Sequence, residues 1–109
     1  MFSLDNQSLT LAQGEAMTLK IASEHATVVQ YYAKFASAGT VDATVQARGS
    51  MYLQGEANPL FHEPTPSTVS SAGEENQTLN QWPFVQTELV ITNNSADDLV
   101  LNAGLIGRG

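Results

Sequence analysis

Apolar and polar residues alternate with a period of two along most of this chain. In Ser8-Leu9-Thr10-Leu11 the leucines alternate with hydroxyl residues, and Met17, Leu19 and Ile21 then alternate with Thr18 and Lys20. Gln13-Gly14-Glu15 supplies a turn between the two runs, so the first unit is expected to be a hairpin. Val28 to Phe35 is rich in β-branched and aromatic residues, with Val29, Tyr31, Ala33 and Phe35 on one face. After a turn at Ser37-Ala38-Gly39 comes the most regular run, with Val41, Ala43, Val45 and Ala47 set against Asp42, Thr44, Gln46 and Arg48. Its parity continues through Gly49 to Met51 and Leu53, with Gly49 marking a bend or a close backbone approach. A third pair spans Val85 to Thr92 and Asp98 to Leu105, joined at Asn93-Asn94-Ser95-Ala96-Asp97. Asn and Asp tolerate left-handed backbone and bond their own main chain, which suits them to that turn. A helix fails nearly everywhere, because the apolar spacing is two and β-branched residues crowd the runs. Six strands, or seven with Thr68 to Ser70, predict a single all-β domain over 1–109. The expected architecture is an antiparallel β-sandwich, jelly-roll-like, with one long irregular connection and a six-strand barrel as nearest competitor.

That connection is Gln54 to Gln81, which has no sustained period and contains Pro59, Pro64 and Pro66, with Pro83 just beyond. Structureless stretches of this length are uncommon in small domains and are usually functional or disordered. It carries Leu60 and Phe61 and exits through Trp82 and Phe84, side chains that a solvated linker has no need of. Three readings follow: a Greek-key crossover laying these side chains over one end of the sandwich, an arm that packs on another protein chain, or simple disorder. Residues 1–7 are expected to form a second, N-terminal arm. Phe2 and Leu4 precede the first strand, and Leu105-Ile106-Gly107-Arg108-Gly109 ends the chain on apolar, then flexible, residues.

Charge narrows the list of partners. Eleven acidic against four basic residues leave a formal charge of −7, and the scattered Lys20, Lys34, Arg48 and Arg108 cannot form the cationic patch that nucleic acid or an anionic membrane requires. No run reaches the length of about 18 apolar residues that a membrane helix needs. Met1-Phe2-Ser3-Leu4-Asp5 lacks the basic start and apolar core of a secretion signal, so the chain is expected to be made in the cytoplasm without one. The absence of cysteine removes disulfides, thiolate catalysis and Cys-ligated metals.

The remaining chemistry is sparse. His25 beside Glu24 and His62 beside Glu63 could ligate a metal only if the two irregular segments converged; separate surface histidines are the plainer expectation. Asp97-Asp98 with Asn93, Asn94 and Ser95 could offer oxygen to calcium, but the spacing is not that of an EF-hand and turn formation explains the composition. Glu74-Glu75 is expected at a solvated loop tip. No Gly-x-Ser-x-Gly elbow is present, so no cofactor, metal or catalytic residue is expected and the chain is anticipated not to be an enzyme. Tyr31, Tyr32, Tyr52 and Trp82 could form a sugar-stacking platform, which keeps a small carbohydrate-binding or adhesion module as the alternative.

A short, cysteine-free chain, low in charge and rich in Ala, Ser, Thr, Asn and Gln, suits extended polar contact with other proteins, because few charges must be desolvated. In size, in this composition, and in stretches such as Thr40-Val41-Asp42-Ala43-Thr44-Val45-Gln46-Ala47-Arg48-Gly49 and Glu88-Leu89-Val90-Ile91-Thr92-Asn93-Asn94-Ser95, the chain resembles the capsid decoration (cement or staple) proteins of tailed bacteriophages. The resemblance is one of style and involves no diagnostic motif. It implies a jelly-roll-like virion protein on the outer capsid surface, often oligomeric, that clamps neighbouring major capsid protein subunits. Exposed strand edges invite self-pairing, so a two-fold dimer is favoured. The residues expected to meet a partner are Phe2, Leu60, Phe61, His62, Trp82 and Ile106.

Overall fold

Wherever the alternation is regular, a computed structural model of the chain shows a strand. The structure describes residues 2–24, 26–36, 40–51, 61–63, 65–70, 73–80 and 84–109. Within them nine strands run in order: β1 (Phe2–Leu11), β2 (Ala16–Ala22), β3 (Val28–Phe35), β4 (Ala43–Ser50), β5 (Phe61–His62), β6 (Ser67–Val69), β7 (Gly73–Asn80), β8 (Gln86–Asn93) and β9 (Leu99–Arg108). No helix among the described residues is long and apolar enough to cross a membrane.

The strands form two antiparallel sheets. Sheet A has the order β1-β9-β3-β7. Sheet B has the order β2-β8-β4, with β5 and β6 sharing the far side of β4, against Gly49–Ser50 and Ala43–Val45 respectively. The passages β1 to β2, β3 to β4 and β8 to β9 all cross from one sheet to the other, which is the double Greek key of a jelly roll. The expected architecture is therefore the one observed.

The expected hairpins are not. β1 pairs with β9 from Phe2↔Arg108 to Leu11↔Leu99, while β2 pairs with β8 from Ala16↔Thr92 to Ala22↔Gln86. The turns lie where the sequence puts them, but each is a corner between sheets. Alternation followed by Gly or Asn is equally compatible with a hairpin and with a corner, since both present one apolar face to the same core. Gly14, at φ 79°, supplies the left-handed residue of the first corner.

Three further expectations are corrected. Residues 2–7 are not an arm, because pairing with β9 starts at Phe2. The chain end from Leu105 to Arg108 belongs to β9, between β1 and β3. Gln54 to Gln81 is not one uninterrupted irregular connection: it contains β5, β6 and all of β7, whose eight residues pair with β3 from Val28↔Asn80 to Phe35↔Gly73. Glu74 and Glu75 accordingly sit in a strand rather than at a loop tip.

The inner faces meet in one core. Leu19, Leu89, Ile91, Leu99, Leu105 and Val29 are almost completely enclosed, with Phe35 and Tyr31 beside them. Each large apolar side chain removed from water in this way contributes roughly 1.5–3 kcal/mol. Gly49 is the expected close approach: a Cβ built there would overlap the ring of Phe84, which packs on the core from the start of β8. The parity of β4 stops there, for Ser50 is buried and Met51 is 61% exposed.

Polar groups close the two ends. At one end Ser23 Oγ donates to the Phe84 carbonyl at 2.5 Å, and its N–H donates to Val85 O at 2.8 Å. At the other end Asn93 is wholly buried. Its Nδ2 donates to Leu11 O at 3.0 Å and Asp97 O at 2.9 Å, while its Oδ1 accepts from Ser95 N at 3.0 Å. That one amide ties the β1–β2 corner to the β8–β9 corner.

Candidate functional site

Apart from Lys34 and Arg108, the outward residues of β1, β3 and β9 are uncharged. Tyr32, Gly104 and Asn6 stand in one row across β3, β9 and β1. Because Gly104 has no side chain, the Tyr32 ring lies over it, and a Cβ at Gly104 would collide with that ring. The ring spans β9, so Tyr32 Oη accepts from Asn6 Nδ2 and donates to Asn102 Oδ1 at 2.8 Å. Asn102 Nδ2 in turn donates to Ser8 Oγ. On the other flank Gln30 Nε2 donates to Thr78 Oγ1 at 3.2 Å. These side chains hold one another, so little rotamer freedom remains to be lost when a partner covers them. Ile106 stands half-buried beside Leu4, which is 53% exposed.

Sheet B presents a charged row instead. Lys20, Glu88 and Arg48 are in register across β2, β8 and β4. Glu88 Oε2 lies 3.5 Å from Lys20 Nζ, and its Oε1 lies 3.3 Å from Arg48 Nη1. Arg48 Nε meets Glu63 Oε1 at 2.5 Å. The Glu88 side chain is only 7% exposed although it faces outward, because its neighbours lie over it. Glu88→Gln is expected to cost only about 1 kcal/mol in urea unfolding, since Lys20 stays solvated and Arg48 keeps Glu63. A loss above about 3 kcal/mol would mean that the row holds sheet B together.

The residues expected at a partner contact fall as follows. Phe2 opens β1 opposite Arg108, and Ile106 lies two pairs further along, opposite Leu4. Phe61 and His62 form β5, opposite Ser50 and Gly49. The 23–27 corner bonds both to Arg108 O, through Thr27 N, and to Val85 O, through Ser23 N, while Val85 N donates to Ser50 O. These four positions therefore share one end of the sandwich. Leu60 and Trp82 lie outside the described residues.

The other sequence candidates divide as well. Tyr31 is buried in the core and Tyr32 faces outward, as their adjacency requires, so they share no platform; Tyr52 lies outside the described residues. Asn93 and Asp97 spend their oxygens on main-chain donors: Asn93 Oδ1 takes Ser95 N–H within the turn, and Asp97 Oδ2 takes Thr40 N–H, just ahead of β4, at 2.9 Å. Glu63 faces Arg48, and His25 lies outside the described residues. Among the described residues no group of three or more His, Cys, Asp or Glu is arranged to hold a metal.

Sequence reasoning missed the Tyr32 ladder. Its members lie up to 96 positions apart (Asn6 to Asn102) and meet only through a register that no local pattern encodes. The available signal was slight: a glycine inside an alternating strand and a tyrosine of outward parity on another.

No family model matches the chain, and no curated protein matches it in sequence. Solved structures share its fold. A mitogen derived from Yersinia pseudotuberculosis superposes with a TM-score of 0.56 at 11% identity, over 97% of this chain and 86% of that one. PirA gives 0.54 at 14% identity, over 95% and 93%. A family GH115 4-O-methyl-α-glucuronidase with specificity for decorated arabinogalactans gives 0.57 at 12% identity over 91% of this chain, which spans only 14% of that enzyme. At such identities the likeness is one of fold, since one scaffold carries many functions.

Proposed function

We propose that this chain is a non-enzymatic structural module that binds other protein subunits, and that its place is the outer surface of a tailed-phage capsid, where it clamps major capsid protein subunits. The observation that carries the reading is the outer face of β1, β9 and β3: uncharged apart from Lys34 and Arg108, and with Tyr32, Asn6, Asn102 and Ser8 already bonded to one another. Such a face buries well against protein, because few charges lose water and little side-chain order must be created. The partner contacts in this reading are the positions expected from the sequence: Phe2, Phe61, His62 and Ile106, whose strand positions share one end, with Leu60 and Trp82 from the adjoining sequence. Several weak contacts made together raise avidity by about 10²–10⁴. The net charge of −7 favours a relatively basic shell surface and helps keep the protein in solution before it docks.

The test is co-sedimentation of the purified chain with shells reconstituted from the major capsid protein encoded in the same genome. Wild type is expected to pellet with the shells in fixed stoichiometry. Ile106→Asp is expected to stay in the supernatant with its circular dichroism unchanged, since Ile106 faces outward. Absence of any shell gene from that genome, or equal pelleting of both forms, would overturn the reading.

A further inference from the structure

A jelly roll leaves strand edges open, and this one treats its edges unequally. An unpaired edge is a template for another strand unless charge, proline, shortness or cover protects it. In sheet B, the open edge of β2 is capped: Asp5 Oδ2 accepts the Lys20 N–H at 2.9 Å. On the opposite side β5 and β6 are two and three residues long, and the sequence between them holds Pro64 and Pro66. In sheet A, β7 carries Glu74 and Glu75 among its eight residues. β1 is the least protected: it is ten residues long, lacks Pro and Lys, and its one charged side chain, Asp5, is engaged by the Lys20 N–H of β2.

The ladder identifies which groups of β1 are open. Ala36 N–H donates to the Val100 carbonyl at 2.9 Å, so even-numbered residues of β9 face β3 and odd-numbered ones face β1. The β1–β9 register is unbroken, hence Asp5, Gln7 and Leu9 bond to β9. Leu4, Asn6, Ser8 and Thr10 direct N–H and C=O to the free side, where no described backbone group meets them.

We propose that two copies of the chain pair antiparallel through β1, about a two-fold axis at Asn6, joining their two A sheets into one. This register sets Leu4 against Ser8 of the second copy, and Asp5 against Gln7 rather than against another Asp5. It offers up to about ten main-chain hydrogen bonds, and it covers part of Leu4. Antiparallel about Asn6, the open N–H and C=O groups of Leu4, Asn6, Ser8 and Thr10 meet the same groups of a second copy and Asp5 meets Gln7; this self-complementarity is the requirement of a two-fold interface, and that is why a second copy is the occupant. The net charge of −7 on each copy opposes approach, so pairing strengthens as salt rises; an edge that recruits a basic partner would show the reverse. The pairing does not depend on which larger assembly the chain enters.

Sedimentation equilibrium of the full chain tests it. The expected mass is twice 11.6 kDa, with affinity increasing between low and high salt. Leu4→Lys and Thr10→Pro, at exposed positions whose inward neighbours keep their β9 bonds, are each expected to weaken the dimer at least tenfold with unchanged circular dichroism. Amide exchange of Leu4, Asn6, Ser8 and Thr10 is expected to slow with protein concentration, while Asp5 and Gln7 stay protected at every concentration. A monomer at NMR concentrations, a dimer indifferent to both variants, or edge protection that appears only with a different protein would overturn the proposal.

Discussion

Replacing Asn93 with alanine is expected to lower the unfolding free energy by about 3–5 kcal/mol, the largest loss from any single polar substitution in this chain. The side chain is buried, and its Nδ2 serves two carbonyls on either side of it, Leu11 O and Asp97 O. Its Oδ1 holds Ser95 through both N–H and, at 2.6 Å, Oγ. The main chain adds to the junction, with Asn93 N donating to Glu15 O and Gly14 N donating to Asn93 O. Alanine leaves those main-chain bonds, and Asp97 O keeps Ser95 Oγ at 2.9 Å, but the Leu11 carbonyl and the Ser95 amide are orphaned, each costing about 1–3 kcal/mol when shut away from water. Asn93→Asp sharpens the test at nearly constant volume. It keeps the acceptor for Ser95 but turns a carboxylate oxygen toward two carbonyl oxygens, so it is expected to be at least as damaging as alanine at neutral pH. Urea midpoints of the two variants decide the matter. A loss below about 1 kcal/mol for both would mean that the two corners stand without the amide.

The second large effect belongs to Gly104. Gly104→Ala is expected to cost about 2–3 kcal/mol, because the new methyl group drives the Tyr32 ring off β9 and breaks its bonds to Asn6 and Asn102. Tyr32→Ala alone uncovers the glycine and loses the same bonds, and is expected to cost about 1–2 kcal/mol. Once the ring is gone, the methyl group at position 104 has nothing to strike. The double variant is therefore expected to fall short of the summed single losses by at least about 1 kcal/mol. Strict additivity would show that ring and glycine are independent, and would remove the case for a pre-ordered outer face.

The fold was legible where a strand has one wet and one dry face. Met17, Leu19 and Ile21, or Val41, Ala43, Val45 and Ala47, alternate because neighbouring side chains on a strand point to opposite sides, and every one of them is buried. β7 was not legible, since Gly-Glu-Glu-Asn-Gln-Thr-Leu-Asn presents Leu79 as its single large apolar residue. An edge strand is held by main-chain bonds to one neighbour, and such bonds leave no hydrophobic rhythm. Partner choice was equally silent: the Leu9–Leu11 run and the Met17–Ile21 run look like hairpin arms, yet they lie in different sheets. The outer face suffers most from this, since Tyr32, Asn6 and Asn102 are ordinary polar residues until the register lines them up.

The position of β9 has a consequence for how the protein is made. Sheet A joins the N-terminal strand to β3 only through β9, the last of the nine strands to leave the ribosome. Until then β1 has no neighbour in its sheet, and the apolar sides of β3 and β8 lack Leu99, Leu101 and Leu105. Folding is thus expected to wait for β9 and to be slow for the chain's size, as long-range pairings impose. A nascent chain stalled before Leu99 should be open to protease along its whole length, whereas one in which β9 has emerged should resist.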